Sequence, residues 1–142
     1  MIAGARAEQE GMMSEHPNAR LVRHGYDAFA RGDLDSIREL MAGDVVWHEP
    51  GRSPIAGDYK GPDGVMSLLG ELRDRSDGTF VVDLVDVVPS AERVVVFQEE
   101  SGTRRGRELD VASVVDFEIH HGKITEVTVY EHDAYQFDEF WS

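Results

Sequence analysis

Apolar positions along the chain follow two different periods. From Leu21 to Met41 they recur three and four residues apart: Leu21, Val22, Tyr26, Phe29 and Ala30, then Leu34, Ile37, Leu40 and Met41. That spacing predicts two amphipathic helices. Pro17 can open the first, where its missing N–H is harmless. Gly32 ends it, and Asp33 caps the second. Ala42-Gly43-Asp44 is expected to stop the second helix before a short strand from Val45 to Glu49. A loop rich in Gly and Pro is predicted from Pro50 to Gly61. A third helix follows from Pro62, with Val65, Leu68, Leu69 and Leu72 on one side.

After Thr79 the pattern changes to β-branched runs. Strands are predicted over Thr79–Val88, Arg93–Glu100, Arg107–Ile119 and Ile124–His132. The turn signals between them are "PSAE", a polar hairpin loop "SGTRRG", and "HHGK". The aromatic tail "DAYQFDEFWS" is expected to pack against the body. Helices followed by a run of antiparallel strands define an α+β domain. Three N-terminal helices against a curved, mostly antiparallel sheet would leave a cavity between the layers.

Length and charge narrow the reading. A chain of 142 residues is one domain long. It can bury a core without metals or disulfides, and it has no cysteine. Residues 1–17 read as a polar extension and residues 18–142 as the domain. Translation could begin at Met12 or Met13, and the N-terminus lacks the apolar core of a signal peptide. Asp and Glu number 28 against 14 Lys and Arg, a formal charge of −14. Such a field repels nucleic acid and anionic membranes. No Gly-rich phosphate loop, His-x-His or His-Glu-x-x-His motif occurs. No cofactor, no metal and no nucleic-acid or membrane partner is expected, and the compartment expected is the cytoplasm.

Two stretches carry a family resemblance: "YDAFARGDLDSIRELMAGDVVWHEPG" at the front and "LDVASVVDFEIHHGKITEV" at the back. Their helix–Gly-Asp–helix–"DVVW" order and the strand pair around "HGKI" resemble the SnoaL-like proteins of the nuclear transport factor 2-like superfamily. The resemblance runs from about Asn18 to Asp133. It implies a cone-shaped α+β barrel. It implies no single function, because this fold hosts isomerases, dehydratases, cyclases, hydrolases and non-enzymes.

Glu49 is the first candidate for chemistry. In the ketosteroid isomerases of this superfamily the base is an aspartate directly before a proline at this strand end, which Glu49-Pro50 matches. A carboxylate in an apolar cavity has its pKa raised and becomes a usable base near neutral pH. The isomerase's oxyanion donors are not matched. The position of its helical tyrosine falls on Gly25, with Tyr26 one residue off, and that of its late aspartate falls on Ser113. Steroid isomerisation by that route is not expected.

Period-2 alternation nominates further residues. Val127 and Val129 should face inward, carrying Glu131 and Asp133 toward the cavity rim. Val94 and Val96 place Gln98 on the same inner side, and Ser113 lies between Val111 and Val115. His48 should point away from Glu49 but is a natural proton shuttle. Glu49, His48 and Glu131 are thus the candidate catalytic residues. Trp47, Tyr59, Gln98, Ser113, Phe29, Arg52 and Asp133 are the candidate ligand contacts. His132 is weighed in the same way as His48; His120 and His121 fall in a turn, and His16 and His24 show no site pattern.

The outer sheet face mixes Ala112, Val114, Val95, Phe97, Thr128 and Tyr130 with acids. Such a face suits a sheet-to-sheet homodimer, an arrangement common in the resembled family. The function expected is cofactor-independent proton transfer on a small apolar, oxygen-bearing molecule. A non-catalytic binding or interaction module is the alternative; dehydration or epoxide hydrolysis is a weaker third. Whether Glu49 reaches a cavity of about 300 Å³ or more separates the first two.

Overall fold

The computed structural model describes residues 15–142; the expected N-terminal extension lies almost wholly outside the described residues. The first helix, α1, spans Pro17–Arg31. His16 Nδ1 accepts the Asn18 N–H at its start. Gly32, at φ +73°, turns the chain out of it, a left-handed conformation that glycine adopts without a Cβ penalty. Asp33 then caps α2 (Leu34–Leu40) by accepting the Ser36 N–H at 3.1 Å.

The structure corrects the stop expected at Ala42-Gly43-Asp44. Strand β1 runs from Met41 to Glu49. Met41 is already extended and pairs with Ile124, and a register shift follows before Val46. The irregularity absorbs the Gly-Asp pair that resembled a helix terminator. The expected loop also contains a short strand, β2 (Gly57–Lys60), which pairs antiparallel with β1 so that Tyr59 faces Trp47. Its four residues are too few for alternation to be seen in sequence. Helix α3 (Gly61–Arg75) buries Val65, Leu68, Leu69 and Leu72, as its apolar stripe predicts.

Four strands complete the sheet: β3 (Val81–Pro89), β4 (Arg93–Arg104), β5 (Arg107–His120) and β6 (Lys123–Glu131). The hairpin loop expected over Ser101–Gly106 is a correction. β4 continues to Arg104, and only Arg105 and Gly106 turn, at φ +53° and +76°. Two consecutive positive φ values match the twist of the flanking strands, so a two-residue turn suffices. His121 and Gly122 repeat the device between β5 and β6.

The strand order is β2-β1-β6-β5-β4-β3, antiparallel throughout except for the parallel pair β1 and β6. The fold is the expected α+β class with a mostly antiparallel curved sheet. That sheet is unclosed, with β2 and β3 as its edges. The tail forms α4 (Ala134–Trp141), a helix added to the three expected, capped by Asp133. It packs on β5, while α1 packs on β3 and β4 and α3 on β1. Phe137, Phe140 and Trp141 are buried. Trp141 meets Phe80, Phe137 and Phe140 edge-to-face, the last at 4.8 Å between centroids.

Candidate functional site

The concave face of the sheet and helices α1–α4 enclose an apolar cavity of about 90 Å³. Tyr26, Phe29, Trp47, Phe80, Phe117 and Phe137 supply its aromatic wall. The volume is below the roughly 300 Å³ expected of a ligand pocket, so on size alone it favours the non-catalytic alternative. At about 10–15 Å³ per water-sized probe it holds several such groups, the scale of one small ring.

Glu49 enters this cavity from the end of β1. Its side chain shares the inner face with Trp47, and only 8% of the residue is exposed. Trp47 Nε1 donates to Glu49 Oε1 at 2.9 Å. Burial pushes the Glu49 carboxyl up to about 8 from its ordinary 4.5; the indole bond pulls it partly back and the charge of Glu100 adds to the rise. A carboxyl in this state exchanges a proton readily near neutral pH.

A polar row crosses the sheet beside it. Gln98, Ser113 and Glu131 are direct cross-strand neighbours on β4, β5 and β6. Gln98 Nε2 donates to Glu100 Oε1 at 3.0 Å and to Ser113 Oγ at 2.9 Å. Ser113 Oγ donates to the same Glu100 oxygen at 2.9 Å. The Tyr26 hydroxyl donates to Gln98 Oε1 at 2.6 Å. Glu100 is 3% exposed and lines the cavity. Burial raises its carboxyl, partly offset by bonds from its neighbours. Burial likewise raises Glu131, reinforced by the charges of Glu100 and Glu49. Glu100 Oε2 and both Glu131 oxygens are buried without a hydrogen bond of ordinary geometry, although the two carboxyls lie close enough to alter each other's acidity.

The structure therefore gathers Glu49, Trp47, Phe29 and Gln98 at the cavity, with Ser113 and Glu131 behind its polar end. His48 lies on the opposite face. Its Nδ1 meets Asp58 at 2.7 Å and its Nε2 meets Glu126 at 2.8 Å, and these two carboxylates raise its pKa. It is kept from the cavity by the alternation that points Glu49 inward. Tyr59 does not line the cavity either; its hydroxyl donates to the Ile55 carbonyl at 2.7 Å. Arg52 is exposed, and its backbone N–H is held by Asp138. Asp133 is spent on capping α4, where it accepts the Gln136 N–H at 3.0 Å. Among the described residues, no group of three or more His, Cys, Asp and Glu could hold a metal ion.

Two contributors were not among the candidates. Glu100 follows Val94, Val96 and Gln98 in strict alternation, so extending that face by one step would have found it. Tyr26 was placed in the α1 apolar stripe and one residue off the isomerase's tyrosine position, and was not among the candidates for the site.

A curved sheet packed against helices around an apolar hollow that holds buried carboxyls defines a class of α+β folds. Within that class, the chain belongs to the SnoaL-like domain family, whose model matches residues 22–127. An uncharacterized protein of Mycobacterium tuberculosis is 31% identical over 131 residues, 92% of this chain and all of that one. The structure of Bal32a, from a soil-derived mobile gene cassette, is 37% identical with a TM-score of 0.86, covering 89% of this chain and 97% of Bal32a. A putative polyketide cyclase from Xanthomonas campestris, 23% identical with a TM-score of 0.70 over 89% of this chain and 97% of its own, shares the fold. No described helix is long and apolar enough to cross a membrane.

Proposed function

We propose that the cavity binds a small, apolar, oxygen-bearing molecule and that Glu49 moves a proton on it without a cofactor. One observation carries this reading: a carboxyl 8% exposed, at an apolar wall, held by an indole N–H and raised to about 8. Such a group is a competent base toward a C–H next to a carbonyl. Trp47 Nε1 fixes its orientation. Gln98, Ser113 and Glu100 supply the polar end of the cavity. The size of the hollow favours substrates of about one ring.

The test needs no native substrate. Small cyclic ketones incubated with the protein in D2O should exchange their α-protons faster than in buffer, as read by proton NMR. Glu49→Gln should return the rate to the buffer value. Equal exchange with and without the protein would overturn the assignment.

The small volume also favours a second reading, a binding module without turnover. In that case ligands shift the melting temperature while no exchange is catalysed. We further propose that a second copy covers the outer sheet face. Phe97, Val114 and Tyr130 form a cross-strand apolar row there, with Phe97 and Tyr130 43% and 56% exposed.

A further inference from the structure

The sheet edge beside Glu49 is thinly held. β2 has four residues and is the outermost strand on that side. Its register sets Tyr59 against Trp47 and Gly57 against Glu49, both of which line the cavity. Gly57, Asp58 and Lys60 are exposed, and Tyr59 is part-buried against the core. The Tyr59 hydroxyl donates to the Ile55 carbonyl, inside the loop that joins β1 to β2. One packed side chain on a four-residue edge strand places β2 at the low end of local stability. Glu49 itself is buried, so a molecule that reaches it needs part of the wall to move.

On the outer side of the same strands His48 ties them together. Its Nδ1 lies 2.7 Å from Asp58 Oδ1 on β2, and its Nε2 lies 2.8 Å from Glu126 Oε2 on β6. An ionised carboxylate only accepts hydrogen bonds, and a neutral imidazole has one N–H to give. Both contacts are satisfied together only when both nitrogens carry protons. The imidazolium then bridges three adjacent strands, β2, β1 and β6. Loss of one proton sets a ring lone pair against a carboxylate at one of the two contacts. The other charges on this face are Lys60 on β2, Asp116 and Glu118 on β5, and Arg93 on β4, which is taken by those two acids. On the inner side, Glu49 from β1 and Glu71 and Arg75 from α3 act on Tyr59.

From a histidine whose two ring nitrogens both meet carboxylates on the flanking strands, we infer that His48 is a protonation-controlled clasp, which holds β2 closed beside Trp47 and Glu49. The two carboxylates raise the His48 pKa while the strand is closed. The clasp is therefore complete below the ordinary histidine value of about 6.5 and is lost as pH rises through the raised one. The three side chains are part-exposed, 34% for His48, 60% for Asp58 and 44% for Glu126, so the hold is modest and reversible. That the opened edge admits a molecule to Glu49 rests on the function proposed above; the clasp itself does not.

Ring NMR and amide hydrogen exchange on the full chain, at one protein concentration, test it. At about pH 7.5, a unit above the ordinary histidine value, 15N spectra should show both His48 nitrogens protonated in most molecules. As pH rises through the His48 midpoint, protection of the β2 amides should fall about three- to tenfold more than that of the β5 amides, the size expected of two part-exposed ion pairs. Asp58→Asn should lower β2 protection at low pH and flatten this dependence. Glu49→Gln, which removes the carboxyl titrating on the inner side, should keep it. A His48 ring with a single proton at pH 7.5 would overturn the inference. So would β2 protection that follows pH no differently from β5, or a dependence that disappears in Glu49→Gln. Each readout is independent of whether ketones exchange.

Discussion

Glu49 sits two residues beyond Trp47 and four beyond Val45 on a strand whose inner face is otherwise apolar, and its neighbours do not supply a cation. Its carboxyl binds a proton more tightly in the folded chain, near 8, than in the unfolded chain, near 4.5. Between these values the folded state holds the extra proton, so stability falls as pH rises through that window. Burial pushes Glu100 and Glu131 in the same direction, and their contributions reinforce the slope. Melting temperature followed from pH 5 to pH 9 should therefore drop, and should drop less steeply in Glu49→Gln. Identical slopes would mean that Glu49 ionises like a surface residue. The residue scale was partly legible in the sequence. Strand alternation placed Glu49, Gln98 and Ser113 on the inner side and His48 on the outer. It could not show that Tyr59 and Asp133 are spent on local bonds and that Arg52 stays exposed, because those depend on where a loop and a fourth helix come to rest.

At the scale of elements, α4 does more than cover the sheet. Phe137 contributes to the cavity wall, and Trp141 binds the helix to Phe80, itself part of that wall. Asp138 holds the loop after β1 by accepting the Arg52 N–H at 3.0 Å. Trp141→Ala would leave a void in a fully buried aromatic cluster, and losses of about 3–5 kcal/mol are typical of such truncations. Urea unfolding should show a loss of that size; one below about 1 kcal/mol would mean that the tail packs loosely. Long periodic elements such as α1, α3 and β5 were readable from the chain. The helical nature of an eight-residue aromatic tail and the pairing of β2 were not, since both are short and are decided by tertiary partners. The β4–β5 turn is shorter than expected because Ser101–Arg104 pair with Arg107–Asp110 and so continue the strand despite their polar side chains.

At the scale of the molecule, one sheet face closes on the core and the other stays mixed. The outer face carries ion pairs, Arg93 with Glu118 at 2.8 Å and with Asp116, and His48 between Asp58 and Glu126. Beside them lies the row of Phe97, Val114 and Tyr130. If that row is covered by a second copy, sedimentation should report a dimer, and Phe97→Glu should convert it to monomer with little change in melting temperature of the separated subunit. A monomeric unmodified protein would contradict the dimer.

The proposed chemistry requires a protonatable group held in an apolar hollow, and the titration of that group can be observed directly. The Glu49 side-chain carboxyl carbon, labelled with 13C and assigned by comparison with Glu49→Gln, should titrate with a midpoint near 8. A midpoint near 4.5 would place the group in water and contradict the proposed chemistry.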